Sequence, residues 1–197
     1  MSERRTAYVW DEWCFWHDPG NYALMAKPGG FIEPYGRHIE NPDPKRRLHN
    51  LLVASGLASQ FIHLPARDAT DQELRLIHTC AHVEKATDAI FTGQADVAYA
   101  LTRPPGHHAE PDRAMGFCVF ANAALAMQHA IETWGVLRGA IVDWDVHFGN
   151  GTYAAFASRP DVFAISIHQQ GGYSQVSGEV DEIGSGAGRI KRSNASR

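Results

Sequence analysis

The second half of the chain alternates short apolar runs with longer amphipathic segments. The runs at 97–101, 139–142 and 161–167 contain almost no polar residue, and such runs are typical of strands buried on both faces of a parallel sheet. The intervening segments at 117–134 and 152–157 predict helices, the first of them rich in alanine. Strands that alternate with helices in this order predict an α/β fold with a parallel sheet flanked by helices.

The first half of the chain carries similar signals. Asp43 can cap a helix and Pro44 suits its first turn. Thr70 and Glu73 have the spacing of a capping box, which predicts a helix after Thr70. The pattern predicts strands at 7–10 and 61–64, and helices at 41–56 and 83–92, with Gly93 ending the second helix.

Composition narrows the classes of protein that fit. The 197 residues suit one domain, and the net charge of −4 gives no overall electrostatic attraction to nucleic acid or to an anionic membrane. The three cysteines are far apart, the first residues are charged, and no apolar run is long enough to span a membrane. We therefore expect a cytoplasmic protein without disulfides, nucleic-acid partner or membrane partner; the sequence leaves the oligomeric state open.

Two polar clusters follow predicted strands. The first runs from Arg103 to Glu110 and the second from Asp143 to Gly151. In open parallel sheets, ligands bind beyond the carboxyl ends of the strands. Ser166 and His168 end the third strand in the same way. The sequence therefore predicts one functional site at this edge.

Asp145 and His147 are two residues apart, so on an extended backbone their side chains point to the same side. A carboxylate and an imidazole are both zinc ligands, and a catalytic zinc usually has three protein ligands and a water. Asp143 could orient a histidine or bind a second cation. In the alternative interpretation, the aspartate only accepts hydrogen bonds from backbone N–H groups at the next helix start.

His107 and His108 follow a Pro-Pro-Gly segment that permits a sharp turn. A histidine can take a proton from a metal-bound water and return it to a leaving amine. Asp143 and Asn150 are the candidates to orient the two rings, and their different charge is expected to separate the pKa values of the histidines. The alternative interpretation is a structural or surface histidine pair.

These motifs together resemble a known family. Arg-Pro-Pro-Gly-His-His-Ala, Gly-Phe-Cys at 116–118, Val-Asp-Trp-Asp-Val-His-Phe-Gly-Asn-Gly at 142–151 and Ile-Ser-Ile-His at 165–168 are similar to the histone deacetylase superfamily. The resemblance extends over 8–188 and is strongest to class II deacetylases and bacterial deacetylase-like amidohydrolases. Asn150, where class I members carry aspartate, supports this placement.

The resemblance implies an arginase-like α/β fold and zinc-dependent hydrolysis of N-acetyl-lysine or acetylpolyamine amides. It implies that Asp145 and His147 bind zinc, and that His107 and His108 are the general acid and base. Asp143 and Asn150 would support the two histidines. The Gly116 carbonyl and the Phe117 ring would contact the substrate. The residues that match a potassium site are Asp143, Asp145, His147, Ser166 and Ile167.

The sequence departs from the family pattern in two places. Glu84 and Lys85 lie where family members have a longer helical stretch, and the family's later zinc-binding aspartate and its carbonyl-polarising tyrosine have no counterpart before Arg197. We therefore predict a partial deacetylase-like domain at 1–188, incomplete at its C-terminal side. The basic segment 189–197 is predicted to be a disordered end, or alternatively an arm for nucleic acid. Weak activity is expected, and the alternative function is an inactive binding module.

Overall fold

The computed structural model describes residues 4–22, 31, 36–66, 81–173 and 178–189. Contacts divide the chain into two compact units, one formed by 1–68 with 81–104 and the other by 69–80 with 105–197. The predicted helix after Thr70 and residues 190–197 of the predicted tail lie outside the described residues.

The first unit is built around a three-stranded parallel sheet in the order β4–β1–β5. These strands are β1 (Thr6–Val9), β4 (Ile62–Leu64) and β5 (Val97–Ala100), with Ala7 paired to both Ile62 and Ala98. The other elements that the structure describes in this unit are two 3-10 turns (Glu12–Phe15, Leu57–Gln60), the antiparallel pair β2 (Asn21–Tyr22) and β3 (Gly36–Arg37), and helices α1 (Asp43–Ala54) and α2 (Ala81–Phe91).

Alternation along β1 creates the two cores of this unit. Ala7 and Val9 are fully buried in a cluster that includes alanines of α2, whereas Tyr8 is buried on the opposite face with Phe15 and Leu101. Leu52 of α1 packs against this second cluster. The central strand is therefore covered on both faces, as an apolar strand of a parallel sheet requires.

The second unit holds a two-stranded parallel sheet and its helices. Helix α3 (Asn122–Trp134), strand β6 (Gly139–Asp143), helix α4 (Asn150–Phe156) and strand β7 (Val162–Ser166) follow one another, and a 3-10 turn covers Gly186–Gly188. Ala124 of α3, together with Ala121 just before the helix, packs with Phe156 and Val162 in one core. Helix α3 ends at Gly135, whose φ of 67° is the left-handed cap that glycine favours.

These elements confirm the predicted α/β fold of parallel strands flanked by helices, with the strands distributed over two sheets. The prediction that the three apolar strands are buried on both faces is wrong in part. Val97 and Tyr99 are exposed, because β5 is an edge strand of the sheet that the described residues form. Val142 and Phe163 are each 48% exposed, since the described helices of the second unit pack on the other face of its sheet.

Two predicted helix starts also need correction. The helix expected from residue 117 begins at Asn122, because paired backbone hydrogen bonds between Met115 and Cys118 close a tight turn first. Asp43 is the first residue of α1 rather than its cap. The cap position is Pro42, and the Asn41 side chain accepts the Asp43 N–H at 3.0 Å. Among the helices of the described ranges, none is both long and apolar enough to cross a bilayer.

Candidate active site

The strand register of the second unit brings two candidate residues together. Asp143 is the last residue of β6 and pairs with Ser166, the last residue of β7. The N–H of Ile167 donates to the Asp143 carbonyl at 2.9 Å. The polar cluster that follows β6 therefore begins where both strands end, which is the edge at which the sequence analysis placed the site.

His107 is oriented by Asp143. Its Nδ1 lies 2.8 Å from the Asp143 Oδ2, and both side chains are largely buried. Burial raises the pKa of Asp143. The hydrogen bonds with His107 and with the Asp145 N–H lower the pKa by more than burial raises it, so the pKa lies below its ordinary value. The carboxylate is therefore charged and accepts the Nδ1–H of His107, while the Nε2 of the same ring is 3.9 Å from the Asp145 Oδ1.

His108 is oriented by Asn150. Its Nδ1 lies 2.7 Å from the Asn150 Oδ1, and the residue is only 3% exposed. The two histidine rings are in contact, with centroids 3.9 Å apart. Burial lowers the pKa of His108 below 6.5, the neighbouring His107 and His147 add to this, and the hydrogen bond with Asn150 opposes it. His108 is therefore a neutral imidazole at pH 7.

The lowered pKa of His108 makes stability depend on pH. The unfolded chain has the higher histidine pKa, near 6.5, so it takes up a proton first as the pH falls below that value. The free energy of unfolding should therefore decrease as the pH falls below about 6.5. In a His108→Gln variant, chemical denaturation at a series of pH values should show a shallower decrease. An identical slope in both proteins would contradict this assignment.

Asp145 and His147 form the candidate metal-binding pair. The Asp145 Oδ1 lies 3.0 Å from the His147 Nδ1, and both side chains are about half exposed. Two ligands of a tetrahedral zinc lie roughly 3.3 Å apart, so the two donors fit a shared ion. No group of three or more His, Cys, Asp or Glu side chains with metal-binding geometry occurs among the described residues. These residues therefore supply two converging donors.

The two aspartates also accept backbone hydrogen bonds, but from N–H groups of the loop after β6 and not from the next helix start that the alternative interpretation named. The Asp145 Oδ1 accepts the backbone N–H of His147 at 2.9 Å, and the Asp143 Oδ1 accepts that of Asp145 at 3.1 Å. Burial raises the pKa of Asp145, but the His147 N–H and the nearby histidines outweigh it, so its pKa is lowered. His107 Nε2 is 3.9 Å from the Asp145 Oδ1. The turn thus holds a charged carboxylate beside the histidine pair.

Gly116 and Phe117 form the tip of the Met115–Cys118 turn. Both have positive φ, 55° and 66°, and Gly116 packs directly against the His108 ring. A Cβ at Gly116 would lie 2.6 Å from the His108 Cγ, so only glycine fits there. Phe117 is 38% exposed, and the Gly116 carbonyl is 3.5 Å from the Cys118 thiol. The predicted substrate-contacting residues therefore lie next to His108.

Three residues of the predicted potassium site, Asp143, Ser166 and Ile167, lie together where β6 and β7 end. Ser166 Oγ is 2.9 Å from the His168 Nδ1, and the Asp143 carboxylate is already engaged by His107. A cavity of about 450 Å³ is lined by Asp143, Ser166 and Ile167, among others. The assignment of potassium to these residues stays a prediction.

Gly151 lets α4 approach the histidine loop. A Cβ there would lie 2.6 Å from the Ala109 carbonyl carbon, while the N–H of Gly151 donates to the His107 carbonyl at 2.9 Å. Gly151→Ala should therefore destabilise the protein by about 1–3 kcal/mol, the usual cost of overpacking. Helix propensity alone would predict stabilisation by about 1 kcal/mol.

Denaturant unfolding separates these two outcomes. The matched control is Ala154→Gly at an exposed position of the same helix, which should cost about 1 kcal/mol through propensity alone. A Gly151→Ala variant more stable than the wild type would show that the close approach is unimportant.

Several residues of this site were not predicted from the sequence. Glu110 accepts from the Asn150 Nδ2 at 2.7 Å, and the Cys118 Sγ accepts from the His108 N–H at 3.3 Å. The Tyr173 ring lies edge-on to His108, with centroids 4.8 Å apart. Glu110 closes the first polar cluster and could have been noticed there, whereas no local pattern distinguishes Tyr173 within its glycine-rich segment.

Comparison with known proteins identifies the class to which this site belongs. The sequence profile of the family described as "Histone deacetylase domain" matches residues 84–196, more than half of the chain. The chain therefore belongs to the histone deacetylase family. Members of this family are generally metal-dependent. The profile match begins at Glu84, where the sequence analysis placed a departure from the family pattern, and helix α2 runs without interruption across this position.

Individual relatives agree with this placement. A histone deacetylase-like amidohydrolase of Pseudomonas aeruginosa is 39% identical over 223 aligned positions, which cover 94% of this chain and 59% of the relative. Histone deacetylase 15 of Arabidopsis thaliana is 35% identical over 93% of this chain and 38% of its own length. The crystal structure of the HDA15 HD domain superposes with a TM-score of 0.79 at 32% identity, covering 95% of this chain and 61% of that one.

The chain spans only part of these proteins. It covers about three fifths of the Pseudomonas relative and of the HDA15 HD domain. The 223 aligned positions exceed the 197 residues of the chain, so the Pseudomonas protein has positions with no counterpart here.

Proposed function

We propose that this protein is a zinc-dependent deacetylase that hydrolyses N-acetyl-lysine or acetylpolyamine amides. The observation that carries the proposal is that two histidines, each held by a different hydrogen-bond partner, lie beside the Asp145–His147 pair. His107 is held by the carboxylate of Asp143 and His108 by the neutral amide of Asn150. Membership of the histone deacetylase family supports the same reaction class.

The two histidines would carry the proton transfers. Each has its Nδ1 engaged, so each offers its Nε2 to a reacting group. The lowered pKa of His108 keeps that ring neutral and able to accept a proton near pH 7. The same histidine pair can then return a proton to the amine that leaves when the amide bond breaks.

Asp145 and His147 would hold the zinc ion. Their donor atoms are 3.0 Å apart, close to the spacing of two ligands on one zinc. A bound zinc would acidify a water molecule and polarise the substrate carbonyl. The chain's own contribution is to keep Asp145 charged and to place His107 beside it.

The substrate would lie against the turn at Gly116 and Phe117. The Phe117 ring is partly exposed and offers an apolar surface for an aliphatic stem, while Gly116 sits against His108. Both acetyl-lysine and an acetylpolyamine have such a stem. The proposal includes a cytoplasmic location, which is supported by the absence of a disulfide at Cys14 and Cys118 among the described residues.

A second candidate is a module that binds acetylated ligands without turning them over. The number of metal ligands favours this candidate. The described residues supply two converging ligands, Asp145 and His147, whereas a catalytic zinc usually has three protein ligands. In that case zinc would be held weakly, and the Phe117 turn would still offer the stem-binding surface.

Acetate release tests the proposal. The purified chain is stripped with a chelator, and hydrolysis of an acetyl-lysine peptide and of an acetylpolyamine is measured before and after zinc is restored. We expect hydrolysis that requires zinc, and the faster substrate identifies the class. Binding of both ligands is measured in parallel by calorimetry. Binding without hydrolysis would favour the second candidate, and neither binding nor hydrolysis would contradict both.

A further inference from the structure

We propose that Glu110 is a positioning residue that sets the orientation of the Asn150 amide and, through it, the tautomer of His108. The structural part of this inference stands by itself, while its consequence for turnover rests on the proposed deacetylase function. Glu110 bonds to the Asn150 amide, so it acts on the His108 ring through Asn150.

The surroundings of the Asn150 amide allow only one orientation. Its Nδ2 faces three acceptors, which are Glu110 Oε1 at 2.7 Å, Met115 Sδ at 3.4 Å and the His108 carbonyl at 3.5 Å. The two ends of an asparagine amide are distinguished by such networks. A reversed amide would place its oxygen against the Glu110 carboxylate, which accepts hydrogen bonds but cannot donate one. The carboxylate is the strongest of the three acceptors because it is charged.

This orientation determines where His108 carries its hydrogen. Asn150 Oδ1 lies 2.7 Å from the His108 Nδ1 and can only accept, so Nδ1 must be the protonated nitrogen of the neutral ring. The Nε2 lone pair is then free to accept a proton. With a reversed amide, Nδ2 would donate to Nδ1, the hydrogen would move to Nε2, and His108 would lose its acceptor.

Glu110 is itself held by a short turn. Its backbone N–H donates to the Arg113 carbonyl at 3.0 Å, and the Arg113 N–H returns a hydrogen bond at 3.3 Å. The exposed Arg113 guanidinium binds the second carboxylate oxygen, Oε2, at 2.8 Å. That leaves Oε1 for Asn150. The turn therefore presents one carboxylate oxygen to the amide.

Nitrogen-15 NMR of histidine-labelled protein tests this directly, since the shifts of the two ring nitrogens report the tautomer. We expect Nδ1–H at His108 in the wild type. Glu110→Ala should show a marked rise of the Nε2–H form, whereas Glu110→Gln, which keeps an acceptor, should stay near the wild type. Glu132→Ala on the exposed face of α3 is the control. A wild-type Nε2–H tautomer, or no change in Glu110→Ala, would overturn the proposal.

A double variant separates orientation from a general loss of structure. Aspartate at position 150 has two acceptor oxygens and cannot be reversed, so Glu110→Ala combined with Asn150→Asp should return His108 to the Nδ1–H form. Failure to return would overturn the proposal. If Glu110→Ala does not fold, Glu110→Lys is measured instead. Its ammonium group only donates, so it should favour Nε2–H, and an unchanged tautomer would contradict us.

Turnover provides the second measurement. In zinc-loaded protein, Glu110→Ala should lower kcat by about 10- to 100-fold with little change in KM, a loss of the size that outer-shell residues of metal sites typically cause. Glu110→Gln should recover most of this loss. If the wild type releases no acetate, the proposed function fails, while the NMR result still decides the role of Glu110. If the tautomer changes but kcat does not, its catalytic consequence is refuted.

Discussion

Under the proposed deacetylase function, replacing His108 with alanine is expected to lower the rate of acetyl-lysine hydrolysis by about 10²- to 10⁴-fold, the usual contribution of a general acid–base group. His108 is buried, its Nδ1 is engaged by Asn150, and burial lowers its pKa so that the ring is neutral at pH 7. The neutral ring of His108 can therefore accept a proton. The change is measured as kcat for acetate release from zinc-loaded protein.

The control for this prediction is His129→Ala. His129 lies on α3 and bonds to Thr133 on the same helix, so its loss should leave turnover unchanged. Circular dichroism and thermal melting establish that both variants are folded. A His108→Ala protein with wild-type kcat would remove this residue from the proton transfer.

The second large effect concerns the stability of the first unit. Glu40→Ala is expected to lower the free energy of unfolding by about 3–5 kcal/mol, the usual cost of breaking a buried ion pair. The Arg103 side chain has no exposed surface, and its Nε and Nη2 bind the two Glu40 carboxylate oxygens at 3.1 and 2.5 Å. Removing Glu40 would leave that guanidinium charge buried without its counterion.

Arg103 also fixes the backbone around the first 3-10 turn. Its Nη1 donates to the carbonyls of Cys14 at 3.0 Å and His17 at 2.8 Å. The matched control is Glu12→Ala, which breaks the partly exposed pair with Arg46 and should cost no more than about 1 kcal/mol. Both values come from urea unfolding. An equal loss of unfolding free energy in the two variants would show that burial does not increase the contribution of the Glu40–Arg103 pair to stability.

Much of the candidate site could be predicted because its signals are local. Asp145 and His147 are two residues apart, and the structure brings their donor atoms to 3.0 Å. Asp143 and Asn150 could also be recognised from the sequence as the residues that orient the two histidines. Which of them bonds to which histidine could not be predicted. His107 and Asp143 are 36 residues apart in the chain, and His108 and Asn150 are 42 residues apart. Such a choice depends on how the loops pack.

The errors in the fold have the same physical origin. An apolar run predicts a strand, but it does not say which strand becomes the edge of a sheet. Tyr8 and Tyr99 lie on neighbouring strands with stacked rings, yet only Tyr8 is buried. The start of α3 was misplaced because a positive φ at Phe117, a non-glycine residue, is rare and leaves no sequence signal.

Zinc binding at the end of β6 is the most direct test of the account. Competition with a chromophoric chelator should show one zinc per wild-type chain. Asp145→Asn and His147→Gln should each weaken binding by more than about 100-fold, since even a residue that only orients a ligand typically contributes 10- to 100-fold. The exposed control Asp181→Asn should bind like the wild type. Equal zinc affinity in all four proteins would contradict the assignment of this site.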